Sequence, residues 1–238
     1  MSGTNPVIGT PPARGHFHAV RFYENEKSLC RIVAGFLGEG LASGQPALVV
    51  ATPEHRRGII DELRARHFDV VRMHAAGDLV MVDARKLMSG FIVDGVPDAR
   101  LFAEGATRVL ERTARGREAL TIRAYGEMVD LLWKDGYDVA AIQLEMLWNK
   151  LARTHDFSLL CGYAMGNFYK DACVATICAE HTHVVGADGT AIIADGRSLT
   201  IRSPRPAPQS SASSPLRDSA SFQSAVCPAR PGARRAMI

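Results

Sequence analysis

Apolar residues recur along this chain in two alternating rhythms, one close to every second residue and one close to every 3.6. The clearest helical stretch begins at Asn25 or Glu26. Leu29, Ile32, Val33, Phe36, Leu37 and Leu41 fall there at i, i+3, i+4, i+7, i+8 and i+12, and Ser43-Gly44 ends it. Just before it, HFHAVRFY at 16–23 alternates as a strand does. PALVV at 46–50 is a short, continuously apolar strand. Thr52 then caps, and Pro53 opens, a helix carrying Ile59, Ile60 and Leu63 inward. Val70-Val71 reads as a short edge strand, LVMV at 79–82 as a clearer one and 91–97 as a loop. A helix at 98–114 keeps Leu101, Phe102, Val109 and Leu110 on one side, and 119–123 is the next strand. A tight Tyr125-Gly126-Glu127 corner leads into two helices, marked by Met128, Leu131 and Leu132 and then by Leu144, Leu147, Trp148 and Leu151. A buried strand follows at 157–161. A loop at 164–167, a helix through Cys178 and the segment 181–185 close the patterned part. Asp195-Gly196, between two apolar pairs, is a hairpin signal within 190–201.

Short apolar strands separated by amphipathic helices predict an α/β fold of three layers, a mostly parallel sheet flanked by helices. No internal repeat is present. Residues 1–15 read as a flexible lead, 16–185 as one compact domain and 186–202 as a hairpin extension. The Ser/Pro/Arg-rich stretch 203–238 cannot bury enough apolar surface to offset its chain entropy and is expected to be disordered.

With 47% apolar residues in 238, the chain has ample material for a core. It holds no run of eighteen apolar residues and no leader pattern at its start, so a cytoplasmic protein without membrane contact is expected. Five scattered cysteines fit free thiols in a reducing compartment. The net charge of +3 is unevenly spread. Residues 1–185 hold 21 basic against 22 acidic side chains (−1), and 186–238 hold seven arginines against three aspartates (+4). The domain has no basic face, so nucleic acid is an unlikely partner. The arginine tail is left with weak, salt-sensitive attachment at most.

The candidate chemistry starts from a motif that is missing. A P-loop needs G-x-x-x-x-G-K-[ST] after the first strand, so that amides and a lysine meet phosphate. Here that turn is Phe22-Tyr23-Glu24-Asn25-Glu26-Lys27-Ser28, which has two carboxylates and no glycine. ATP hydrolysis is therefore not expected. Nor does a G-x-S-x-G elbow occur, and no catalytic residue or cofactor is assigned.

In open α/β sheets, ligands bind beyond the carboxyl ends of the strands. The residues following the strands are Tyr23 and Glu24; Thr52, Glu54 and His55; Asp83; Tyr125 and Glu127; Cys161 and Tyr163. The ligand site is accordingly placed at Tyr23, Tyr125, Glu127 and Cys161, with His18 nearby. Glu145 and Asn149 are further polar exceptions in an apolar pattern. Plainer roles stand beside these. Glu127 suits a first helical turn, His18 a satisfied core histidine, Cys161 a buried thiol, Trp133 and Trp148 the core, and Asp83 a helix cap. Cys178-x-x-His181-x-His183 invites a metal, which Cys161 or Cys173 would complete. In an extended segment, however, the two histidines point to opposite faces, and no metal is assigned.

Several blocks together resemble a known family, the DcmR-type sensory domain (MEDS) of bacterial and archaeal signalling proteins. They are His18-x-x-x-Phe22-Tyr23, FLGEGLASGQPALVVATPEH at 36–55, GDLVMVDARKL at 77–87 and FIVDGVPDARLF at 91–102. RAYGEMVDLLW at 123–133, LEMLWNKL at 144–151, FSLLCGY at 157–163 and ICAEHTHVV at 177–185 continue the series. The resemblance covers about 16–185. It implies a RecA/KaiC-like ATPase core that has lost its P-loop. It also implies a non-catalytic sensory role: binding a small, hydrocarbon-derived molecule and passing the state to a histidine kinase or transcriptional regulator. A protein-interaction module without a small ligand, docking through a helix such as 138–154, is the alternative. Three departures stand out. His67 replaces a helix-ending glycine, Gly162-Tyr163-Ala164-Met165 varies an Ala-Tyr-Pro pattern, and no output module follows within these residues.

Overall fold

A computed structural model of the chain describes residues 17–117, 119–167, 174–186, 189 and 191–193. Its first half comprises β1 (Phe17–Tyr23), α1 (Glu26–Ala42), β2 (Ala47–Ala51), α2 (Pro53–Ala65), α3 (Val70–Ala76), β3 (Leu79–Asp83), α4 (Ala84–Met88), β4 (Ile92–Val93) and β5 (Val96–Pro97). The second comprises α5 (Ala99–Ala114), β6 (Ile122–Gly126), α6 (Met128–Lys134), α7 (Asp138–Leu151), β7 (Phe157–Ala164), a 3-10 turn (Met165–Asn167), α8 (Val174–Ala179), β8 (His183–Val185) and β9 (Ala191–Ile193).

The main sheet runs β3-β2-β6-β7-β1-β8-β9, parallel throughout except for the β8–β9 pair. Because side chains alternate along each strand, the sheet builds two cores. On one face Phe17, Ala19, Tyr23, Val49 and Tyr125 pack beneath α1, α2 and α3. On the other Val20, Leu48, Ala124, Leu159, Cys161 and Tyr163 pack beneath α4, α5, α6 and α7. Each wholly buried Leu or Phe contributes about 1.5–3 kcal/mol, so both helical layers are held firmly to the sheet. Trp148 is core, edge-on to Phe102 and Phe157, and half-buried Trp133 stands edge-on to Tyr163.

The α/β reading holds, and local differences have local causes. Residues 70–71 begin a helix instead of an edge strand. Asp69 caps it through Arg72 N, Gly77 ends it with a φ of 76°, and Val71 stays exposed. The strand expected at 119–123 lies three residues later, because its register against β2 and β7 pairs Ile122 to Gly126. The corner therefore starts at Glu127. The expected loop at 91–97 contains a small antiparallel hairpin, β4–β5, whose Asp94-Gly95 turn has positive φ at both residues. His67 adopts the left-handed conformation (φ 66°) that a glycine would take, closing α2 with its amide on Arg64 O and Phe68 N on Leu63 O. Asp83 caps α4 through Lys86 N and pairs with Arg56. The lead 1–15, the Asp195-Gly196 turn and the tail 203–238 lie outside the described residues. Among those described, no helix is long and apolar enough to cross a membrane.

Candidate functional site

The strand ends deliver a polar network of two hydrogen-bonded sets, which adjoin where the Tyr23 ring stands edge-on to His55, 5.9 Å between centroids. Tyr23 is the last residue of β1, Thr52 and His55 begin α2 after β2, Tyr125 and Glu127 end β6, and Ala164 ends β7. The Glu127 carboxylate accepts from three donors: Thr52 N at 2.6 Å, the Tyr125 hydroxyl at 3.1 Å and His55 Nδ1 through a short contact. Glu127 occupies the cap position of α6 without capping it, so its side chain is free to face β2 and α2. Asp130, in the first turn of α6, accepts from the Tyr23 hydroxyl (3.1 Å) and Ala164 N (2.9 Å), and pairs with Lys134 Nζ (2.9 Å). Gly162 makes room for this network, because a Cβ there would stand 2.7 Å from the Tyr125 hydroxyl.

The electrostatics follow from this geometry. Burial opposes charge on His55, but the Glu127 carboxylate outweighs it and raises the imidazole pKa above its ordinary value. Burial likewise opposes charge on Glu127, yet His55 and the Thr52 amide hold its carboxyl below the usual range. Burial first, then the neighbouring carboxylates, pushes the Tyr23 and Tyr125 phenols well up. The network therefore holds the His55–Glu127 ion pair, beside that of Lys134 with Asp130, and two neutral phenols.

A second polar cluster lies on the opposite face, beneath α7. His18 of β1, Glu145 of α7, Cys161 of β7 and His181 after α8 are all buried there. His18 Nε2 is 3.3 Å from Cys161 Sγ and 3.2 Å from Glu145 Oε2. The thiol is 3.5 Å from Glu145 Oε2, and His181 Nε2 is 3.4 Å from Glu145 Oε1. The Tyr163 hydroxyl donates to Glu145 Oε1 at 2.9 Å. Burial and then the nearby His181 lower the His18 pKa, while burial and Glu145 raise those of Cys161 and Tyr163. Glu145 is held well below the carboxylate range by the two imidazoles despite its burial.

The five residues expected to share one rim therefore divide. Tyr23, Tyr125 and Glu127 join at the strand ends, whereas His18 and Cys161 belong to the α7 cluster. Strand alternation is the reason, since His18 and Cys161 face α7 while Tyr23 and Tyr125 face α1 and α2. His55, Asp130, Glu145 and His181 join them in the two clusters and are absent from that set, Glu145 having stood out only as a polar exception in an apolar pattern. His55 was visible as a residue following β2, and His181 as part of the Cys/His spacing. Asp130 gave no signal beyond its i,i+4 relation to Lys134. The Cys178/His181/His183 trio does not assemble. His183 lies over the Phe17 ring, 4.7 Å between centroids, and only His181 enters the cluster. A groove of about 310 Å³ between α4 and α5, lined by Leu87, Phe91, Leu101 and Val109 among others, shares no residue with either cluster.

Comparison with known proteins gives the family and the fold. The family model of the methanogen/methylotroph, DcmR sensory domain, MEDS, matches residues 17–182. The chain belongs to the MEDS family. Every residue of both clusters lies within the matched MEDS span. A solved structure, that of a KaiC-like protein from the hyperthermophilic archaeon Pyrococcus horikoshii OT3, superposes with a TM-score of 0.51. The match covers 76% of this chain and 78% of that one at 15% identity, a likeness of fold alone. No curated protein matches the chain. The MEDS assignment thus makes this a sensory domain on a KaiC-like scaffold.

Proposed function

We propose that this MEDS domain binds a small hydrocarbon derivative carrying a polar group at the strand-end network, and passes the bound state to a histidine kinase or transcriptional regulator. One observation carries the reading: the ends of four adjacent strands gather Tyr23, His55, Tyr125, Glu127 and Asp130 into a buried network at the crevice where open α/β sheets take ligands. A ligand with one donor or acceptor would exchange with a phenol or an imidazole there, and its apolar part would meet the walls of the two cores. Because the network is closed by its own hydrogen bonds, entry must rearrange it. Binding then favours one conformation over another, which is what a sensor requires.

The domain acts without catalysis in this reading. The turn between β1 and α1 is closed by Asn25, whose side chain accepts from Ser28 N at 3.1 Å, and it carries Glu24 and Glu26. A phosphate there would meet carboxylates and an amide already engaged. A protein-docking role without a small ligand is the second reading, favoured by exposed Val139 and Met146 on α7 and by Tyr137 against Gly95 of the β4–β5 hairpin.

Thermal stabilisation by a panel of short-chain alcohols, carboxylic acids and halogenated alkanes tests the proposal, since a specific ligand raises the melting temperature by mass action. One chemical class is expected to raise it saturably in the wild type and not in a Tyr125→Phe, Glu127→Gln double variant. A response that survives the double variant refutes the site, and a flat response across the panel favours the docking role.

A further inference from the structure

We infer that His18, Glu145, Cys161 and His181 form a binding site for one divalent transition-metal ion, of the zinc class, buried beneath α7. Their ligand atoms all lie within 4.8 Å of one another. Around a tetrahedral ion with bonds of about 2.0–2.3 Å, neighbouring ligand atoms stand roughly 3.3–3.8 Å apart. The four contacts His18 Nε2–Glu145, His18 Nε2–Cys161, Glu145–Cys161 and Glu145–His181 Nε2 measure 3.2, 3.3, 3.5 and 3.4 Å. Two neutral imidazoles, a thiolate and a carboxylate also cancel the charge of a divalent ion, which such a buried position demands.

The outer partners aim the ligands. Asn149 Nδ2 donates to Glu180 O at 2.8 Å, which fixes its amide so that Oδ1 accepts from His18 Nδ1 at 2.8 Å. His181 Nδ1 donates to Ile177 O at 2.6 Å. Each neutral imidazole thus turns the lone pair of Nε2 toward the centre, the orientation that outer-shell partners impose on metal-binding histidines. Glu145 is oriented by the Tyr163 hydroxyl. Without an ion, the group is short of protons. The single thiol proton faces two acceptors, His18 Nε2 and Glu145 Oε2, and buried His181 Nε2 has no hydrogen-bond partner. A cation at the centre satisfies all of these electron pairs together. It would also fasten the segment after α8 to β1, β7 and α7, an arrangement separate from the strand-end network on the other face.

The test uses the full chain without a polyhistidine tag, stripped with chelator and titrated with Zn²⁺ and Co²⁺. We expect one equivalent of either ion, a thiolate-to-cobalt charge-transfer band and tetrahedral ligand-field bands. Cys161→Ser should abolish the charge-transfer band, and Asn149→Leu should weaken binding by about 10- to 100-fold. His181→Ala should weaken it further, and His183→Ala, outside the cluster, should leave it unchanged. A substoichiometric ion overturns the site. A full equivalent that survives both Cys161→Ser and His181→Ala also overturns it, as adventitious binding. Should those variants fail to fold, the wild-type cobalt spectrum decides, because the absence of a thiolate band excludes Cys161 as a ligand.

Discussion

The strand-end network and the α7 cluster use nearly the same side chains, imidazole, carboxylate and phenol, but they differ in the supply of protons. At the strand ends each carboxylate meets its own set of donors: three for Glu127 and, for Asp130, a phenol, an amide and an ammonium. Beneath α7 two imidazole lone pairs and a carboxylate converge around one thiol. The first arrangement is complete in itself and stores its interaction energy as stability. The second is complete only with an added cation. Burial of polar residues alone therefore does not tell what a cluster would accept: one whose donors and acceptors balance takes a ligand only by rearranging, whereas one short of protons takes a cation as it stands.

The sharpest way to break this comparison is to remove one carboxylate from each cluster. Glu127→Ala leaves an imidazole, a phenol and an amide unmatched in the interior, and is expected to cost about 3–5 kcal/mol by urea unfolding. Glu145→Gln gives the metal-free chain amide protons to offer the imidazoles, and is expected to change stability by less than about 1 kcal/mol. Equal losses would show that the two clusters do not differ in this way.

Gly162→Ala probes the strand-end network alone. The new Cβ would crowd the Tyr125 hydroxyl, at an expected cost of about 1–3 kcal/mol. Combination with Tyr125→Phe should recover part of that loss, read as a non-additive double-mutant cycle. Fully additive losses would place the strain elsewhere.

The pH dependence should also differ. Glu127 contributes stability above its ordinary pKa of 4.5, lost as pH falls through its lowered folded value. His55 contributes below 6.5, lost as pH rises through its raised folded value. His18, whose pKa is lowered, resists protonation in the fold, so acidification below 6.5 works against stability there. In melting curves across pH, His55→Gln should remove the alkaline loss, and His18→Gln should reduce the acid loss. If both variants shift the same limb, the opposite signs assigned to the two histidines are wrong. The smallest effect belongs to a site in neither cluster. His67→Gly relieves a left-handed backbone at the end of α2 and should stabilise by about 0.5–1 kcal/mol, providing a reference for changes that leave both clusters intact.

Much of the fold was legible in the sequence because its determinants are local. The α1 periodicity, the Thr52 and Asp83 caps and the glycine-free turn at 24–28 each depend on residues within a few positions of one another. The same hairpin signal recognised at Asp195-Gly196 was also present at Asp94-Gly95, where 91–97 was read as a loop. Val70-Val71 misled because apolar β-branched residues suggest a strand, whereas the Asp69 cap and the Gly77 stop decide for a helix. The divergence of His181 from His183 has another cause than the alternation expected of an extended segment, since His181 lies in the turn after α8 and β8 begins only at His183.

The sequence by itself determined that this chain is a parallel α/β domain and that certain polar residues interrupt its apolar elements. Only the tertiary structure decided which of them meet. His18 and Cys161 are 143 residues apart, and Tyr23 and Asp130 are 107 apart. Periodicity gives each strand two faces but not which face of one strand shares a layer with which face of another. Sheet register and helix packing make that assignment, and with it they separate a network that has all its protons from a cluster that lacks them.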